Sequence, residues 1–112
     1  MRENMKKVIA KIGFLSEEEG GRSQPIPVMN YGCPVFFDSI PKLSEHAYDC
    51  RLLIPDYGSP IFPGDTIENL KMVFLSPDEV IPHLRKGCRF SLWERKIIAR
   101  GEVSFIENNQ VI

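Results

Sequence analysis

The chain has 112 residues, which is enough for one domain with one hydrophobic core and too few for two. Hydrophobic residues make up 43% of it and charged residues 26%, which excludes a disordered or low-complexity chain. The formal net charge is −1, from 14 basic and 15 acidic side chains, so no overall positive field attracts nucleic acid or anionic membrane. We expect a single domain over residues 1–112.

The N-terminal segment MRENMKKVIAKIGFLSEEEGG has charges on both sides of a short apolar stretch, which Lys11 interrupts. It has no small-residue cleavage site, and we expect no signal peptide. The longest apolar runs, LLIP and MVFL, are far shorter than the roughly 20 residues that cross a bilayer. These features predict a cytoplasmic protein without a membrane partner.

Period two is the recurring hydrophobic pattern, and nine prolines and eight glycines leave little room for long helices. Residues 7–15 predict the first strand, with four apolar side chains on one face: Val8, Ala10, Ile12 and Phe14. Five further strands are predicted at residues 33–38, 47–54, 66–76, 88–94 and 96–106. For the last strand the alternation predicts one inward face made of Ile97, Ala99, Gly101, Val103 and Phe105.

Turn signals separate these strands. A Pro-Gly turn is predicted at residues 62–66, and Glu94, Arg95 and Lys96 form a connection of hairpin length. Ser76 begins a segment that predicts one helical turn before Pro82. Six short strands with turns about every ten residues predict an all-β barrel or sandwich.

The segment GFLSEEEGGRSQP is the first candidate site. It lacks the spacing of a Walker A loop or of a dinucleotide fingerprint, and three consecutive carboxylates would repel a phosphate. Consecutive acids at the end of a strand are typically solvated, so we interpret the segment as an acidic turn. The chain also has no Gly-x-Ser-x-Gly or His-Glu-x-x-His motif. We therefore expect no catalytic residues.

The three cysteines, Cys33, Cys50 and Cys88, lie in apolar segments without Cys-x-x-Cys spacing. We interpret them as buried free thiols, because a disulfide framework favours an even number. A zinc site favours clustered ligands, and only His46 and His83 are available as imidazoles. We expect no metal and no cofactor.

The segment LRKGCRFSLWERKIIAR has the highest local density of basic residues. If Arg89, Ser91 and Trp93 point outward from one strand and Arg100 from the next, they form a positive stripe that contains an aromatic ring. Such a surface is typical of RNA binding. The alternative is a solvated face on which Trp93 packs against its neighbours.

The order of these segments resembles the third, C-terminal β-barrel domain of elongation factor Tu. The resemblance runs from about Val8 to Glu107, through LSEEEGGRSQPI, Tyr31-x-Cys33-Pro34, FPGDTIENLKMVFLSP, GCRFSLWE and ARGEVSFI. It implies a closed, six-stranded antiparallel barrel of Greek-key type. In that family the domain has no catalytic residues, packs on a neighbouring barrel, helps to grip the T-stem of aminoacyl-tRNA and contacts the nucleotide exchange factor.

The resemblance also implies individual site residues. Arg22 matches the arginine of the family's glycine turn, and Ser23 stands where the family has histidine. Glu94 matches the acid of the last hairpin, whereas Arg95 and Lys96 replace two glycines that let an RNA backbone approach closely. The polar segment DSIPKLSEHAYDC also differs from the compact connection of the family.

These features leave three hypotheses for function. The first is a non-enzymatic module that docks on a protein partner, either associated with translation or acting as a decoy or immunity-type protein. The second is an RNA-binding module, and the third is an enzyme with an unrecognised site. The candidate residues for a partner or RNA are Arg22, Ser23, Arg89, Trp93, Glu94, Arg95, Lys96 and Arg100.

Overall fold

A computed structural model describes residues 5–109, and the side chains of residues 6–107. Within this range the strands are Met5–Phe14 (β1), Asn30–Phe36 (β2), Tyr48–Leu53 (β3), Thr66–Phe74 (β4), Arg89–Trp93 (β5) and Ile97–Asn109 (β6). The helical segments are Ile54–Tyr57 (α1), Pro77–Val80 (α2) and two 3₁₀ turns, Pro41–Leu43 and Ile81–His83. Between residues 5 and 109, no helix has the length and apolar character needed to cross a membrane.

The strands form a closed antiparallel barrel in the order β1-β4-β3-β2-β5-β6. This confirms the predicted all-β class, the six strands and the closure of the sheet. In β1 to β4, three consecutive strands lie side by side and β1 returns next to β4, which is the Greek-key order. Closure leaves no strand of the barrel as a free edge along its whole length.

The core fills the barrel with side chains from alternate positions. The predicted inward face of β1 is buried. Alternate residues of the other strands are buried too: Tyr48, Cys50 and Leu52 of β3, Leu70, Met72 and Phe74 of β4, and Phe90 and Leu92 of β5. The loops close the ends of the barrel with further apolar residues. Leu43, in the polar segment between β2 and β3, is buried, so this loop is anchored to the core. The helical turn expected after Ser76 is present as α2, which buries Val80.

The prediction of a single inward face in the last strand was wrong. Val103 and Ala99 are buried, but Phe105 is 52% exposed and Ile98 is buried. Two register shifts are the cause. Against β1, Ala10 pairs with Val103 and Ile9 pairs with Phe105, so one extra residue lies before Phe105. Against β5, Leu92 pairs with Ala99 and Trp93 pairs with Ile97, so Ile98 is an extra residue. Such a bulge turns the following side chains to the opposite face.

We call the line along which two neighbouring strands pair a seam. The β1–β6 and β2–β5 seams differ greatly in the number of paired residues. The β1–β6 seam pairs residues from Met5 to Phe14 with residues from Asn109 to Ala99. The β2–β5 seam consists of Val35 with Leu92 and Phe36 with Ser91. Pro34, which precedes Val35 in β2, has no N–H to donate. The barrel is therefore joined by few backbone pairs between β2 and β5.

Candidate binding site

The segment after β1 forms a compact acidic turn. Ser16 and Glu19 cap each other: the Ser16 N–H donates to Glu19 Oε1 at 2.9 Å and the Glu19 N–H donates to Ser16 Oγ at 3.2 Å. Gly20, with φ of +97°, then ends the turn in the left-handed conformation that glycine favours. Glu17, Glu18 and Glu19 are exposed, which confirms a solvated acidic turn.

Gly21 fits this turn because it has no side chain. A Cβ at this position would lie 2.2 Å from the carbonyl oxygen of Leu15, which is backbone and has little freedom to move. Its N–H donates to the carbonyl of Ser16 at 2.8 Å. Gly21 thereby directs the next residue, Arg22, across the end of the barrel.

Arg22 is half-buried and bound to three parts of the chain. Its guanidinium pairs with the Glu94 carboxylate and donates to the Tyr31 hydroxyl at 3.3 Å and to the Gln24 carbonyl at 3.1 Å. Its Cζ also lies 5.8 Å from the centre of the Tyr31 ring. We call Arg22, Tyr31 and Glu94 the Arg22 network; it joins β2 to the connection between β5 and β6.

That connection is a tight hairpin of Glu94, Arg95 and Lys96, as predicted. Arg95 has φ of +69°, a left-handed conformation that costs a residue with a Cβ about 1–2 kcal/mol. The N–H of Glu94 donates to the carbonyl of Lys96 at 2.8 Å. Arg95 and Lys96 are both exposed, and the ion pairs found within residues 5–109 include neither of them.

The acidic turn and the hairpin form the two walls of a cleft of about 820 Å³. Five of the predicted site residues line it: Arg22, Ser23, Glu94, Arg95 and Lys96. Glu17 stands on the wall opposite the hairpin, and Gly21 and Gln24 complete the lining. The cleft therefore presents both signs of charge: Glu17 comes from the acidic turn, and the exposed cations Arg95 and Lys96 come from the hairpin, together with the paired Glu94.

An exposed apolar patch adjoins this cleft. Ile26 and Ile61 form an isolated β-bridge that places the segment after Arg22 beside the segment before β4. Val28, Met29 and Phe62 lie on these two segments, and each is about half exposed; we call them the apolar patch. A small pocket lined by Phe62 and Ile61 shares Arg22 and Gln24 with the cleft, so the apolar patch borders the cleft at Phe62.

The other three predicted site residues lie on the outer wall of the barrel. Arg89 and Arg100 are exposed, and Trp93 is half-buried. The Trp93 Nε1–H donates to Ser91 Oγ at 2.9 Å, and the Trp93 ring meets Phe36 edge-on at 5.3 Å between centroids. Arg89 pairs in register with Glu102, so the predicted positive stripe contains an acid. The expectation that Ser91 points outward was wrong, because Ser91 is buried, and Trp93 packs on its neighbours, as in the alternative interpretation.

Sequence reasoning missed Tyr31 and the apolar patch. Tyr31 was noted only as part of a motif, although its phenol is the partner that holds Arg22 over β2. Val28 and Phe62 each stand near prolines in segments that looked like ordinary turns. The signal available was the density of apolar residues in PIPVMN and SPIFPG, which is unusual for connections that should be polar.

The histidines and cysteines complete the set of candidate groups. Residues 5–109 contain no group of three or more His, Cys, Asp or Glu side chains arranged to hold a metal ion. His46 is exposed and lies against Tyr48, with 4.4 Å between ring centroids. Cys33 and Cys50 are buried free thiols, as predicted, and Cys88 is half-buried.

The fold and the site thus define a small closed β-barrel with a mixed-charge cleft next to an apolar patch. Comparison with protein-family models and with curated proteins gave no match.

Proposed function

We propose that this chain is a non-enzymatic binding module, similar to the C-terminal barrel of elongation factor Tu, that docks on a protein partner. The observation that carries this proposal is that the exposed Phe62 of the apolar patch borders the cleft through Arg22 and Gln24. An apolar centre with a polar, charged rim is the usual anatomy of a protein–protein interface. The partner is a component of translation or the target of a decoy or immunity-type protein.

The charges of the cleft favour a protein over a polyanion. Arg22 is already neutralised by Glu94, and Glu17 faces the two exposed cations of the hairpin. A nucleic-acid backbone would gain from Arg95 and Lys96 and be repelled by the acidic turn. A protein segment with an acidic and a basic side chain at matching positions is complementary to both walls.

RNA binding remains the second candidate, and one observation favours it. Arg95, Lys96 and Arg100 are exposed near the half-buried Trp93, so cations and an aromatic ring occur on one side of the barrel. Binding that depends on these cations has a simple signature, because each phosphate contact makes affinity fall with salt.

Interface variants with matched controls test the docking proposal. Phe62→Ser and the pair Arg95→Glu with Lys96→Glu should each abolish crosslinking of the partner to the folded protein in extracts of the source cell. The controls are Leu75→Ser, which removes an equally exposed apolar side chain at the other end of β4, and Arg85→Glu with Lys86→Glu before β5. Equal capture by all variants, or capture of no protein by the wild type, would contradict the proposal.

Titration with bulk tRNA over a salt series separates the two candidates. Docking on protein predicts no binding even at low salt. If tRNA binds with a steep salt dependence and the Arg95→Glu, Lys96→Glu variant loses that binding, the module is an RNA-binding protein instead. Circular dichroism of each variant checks that the barrel is still folded, which we expect because both residues lie in an exposed turn.

A further inference from the structure

Two of the three cysteines face each other inside the barrel. Cys33 in β2 and Cys50 in β3 are directly opposite in the antiparallel register, and their sulfur atoms are 3.9 Å apart. Opposite residues of an antiparallel pair have Cα atoms about 4.5–5.5 Å apart. This lies within the range of about 4.4–6.8 Å that a disulfide spans, so the backbone needs no rearrangement to accept one.

The closed barrel protects this pair. Both thiols are buried, with Cys33 4% exposed and Cys50 completely covered. The hydrogen bond with Cys33, together with burial, raises the pKa of the Cys50 thiol well above its usual value. A thiol held neutral is a poor nucleophile, so reaction requires the barrel wall to open.

The wall is weakest beside Cys33. The pairing of β2 with β5 ends at Val35, two residues after Cys33. Pro34, which lies between them, has no N–H to extend the pairing. Beyond that point, the Arg22 network joins Tyr31 of β2 to Glu94 after β5. Opening of the β2–β5 seam therefore breaks side-chain contacts and few backbone hydrogen bonds. It uncovers Cys33 first, because Cys33 lies in β2 and Cys50 lies in β3.

We propose that Cys33 and Cys50 are a redox-active dithiol that a peroxide oxidises to a cross-strand disulfide through opening of the β2–β5 seam. One sulfur attacks the peroxide, the O–O bond breaks, and a sulfenic acid and one water form. The second sulfur attacks the sulfenic sulfur, an S–S bond forms, and the second water leaves with the remaining thiol proton. The two thiols together lose two electrons and two protons, and hydrogen peroxide is reduced to two waters. This inference does not depend on the proposed docking function.

Hydrogen peroxide added to the folded full chain carrying Cys88→Ser tests the proposal. The intact mass should fall by about 2 Da, the two thiol hydrogens, and dithiothreitol should restore it. Peptide mapping should then link Cys33 with Cys50, and a variant that also carries Cys33→Ser should show no such loss. Persistence of both thiols in the folded protein, or gain of oxygen without crosslinking, would overturn the proposal.

The proposed route through the β2–β5 seam also predicts which substitutions change the rate of crosslinking. Arg22→Ala should accelerate crosslinking roughly three- to tenfold, because the seam loses a multiply bonded ion pair. Ile12→Val, which weakens the core at the β1–β6 seam, should leave the rate near that of the parent. If both variants accelerate equally, oxidation proceeds by global unfolding and the proposed route through the seam is wrong.

Discussion

The β1–β6 and β2–β5 seams close the same barrel by different means. Along β1 and β6, backbone pairing runs the length of both strands, so the join depends little on any one side chain. Between β2 and β5, backbone pairing involves Val35 and Phe36 on the β2 side, and side chains provide the rest. Phe36 packs on Trp93, and Arg22 binds Tyr31 and Glu94. The candidate site therefore lies where the fold depends most on individual side chains.

The largest effect is expected from Gly21→Ala, which removes the placement of Arg22 over the β2–β5 seam. The added Cβ would lie 2.2 Å from the Leu15 carbonyl oxygen, so the backbone must move. We expect the free energy of unfolding to fall by about 3 kcal/mol in a urea titration. Gly20→Ala is the control: it has open space around the Cβ and a φ of +97°, and should cost only about 1 kcal/mol. Equal losses would contradict the steric argument.

Trp93→Ala should have the next largest effect, because it removes the aromatic contact with Phe36 across the weak seam. The substitution loses the edge-on contact with Phe36 and the hydrogen bond to Ser91, and leaves Ser91 Oγ open to water. We expect a loss of about 2 kcal/mol, less than for a fully buried tryptophan because the side chain is only partly buried. Trp93→Phe should retain most of the stability. A loss below that of Gly20→Ala would show that the ring contributes little to closure.

Arg22→Ala tests whether the two seams open independently. Removing the Arg22 network should lower global stability by about 1 kcal/mol. Amide hydrogen exchange should rise several-fold at Val35, Phe36, Ser91 and Leu92, while amides of Ile9 and Ile12 in β1 remain protected. Uniform acceleration over both seams would mean that the barrel opens as one unit. Arg22→Lys is a useful intermediate, since it keeps the charge and loses the planar fork that binds two partners.

The contrast between the seams also explains what could be predicted from the sequence. Alternation revealed the inward face of β1, because Val8, Ala10, Ile12 and Phe14 are all buried, and β3 also alternates regularly between buried and more exposed positions. It failed for Phe105, since one extra residue in β6 reverses the alternation and leaves no mark in composition. The cleft residues Arg22 and Glu94 were identified as separate candidates. Their ion pair could not be predicted, because it depends on how the barrel brings together two residues that are 72 positions apart in the sequence.

Arg95→Gly should have the smallest effect on stability, and the only favourable one among these variants. Arg95 has φ of +69° in the hairpin, where glycine adopts that conformation without steric cost. The gain is offset by the greater backbone freedom of glycine in the unfolded state, so we expect stabilisation of about 0.5 kcal/mol in a urea titration. Lys96→Gly controls for loss of a neighbouring exposed cation without relief at Arg95, and should be neutral or destabilising. If Arg95→Gly stabilises the barrel and also weakens partner binding, the strained conformation is retained for the charge that it displays.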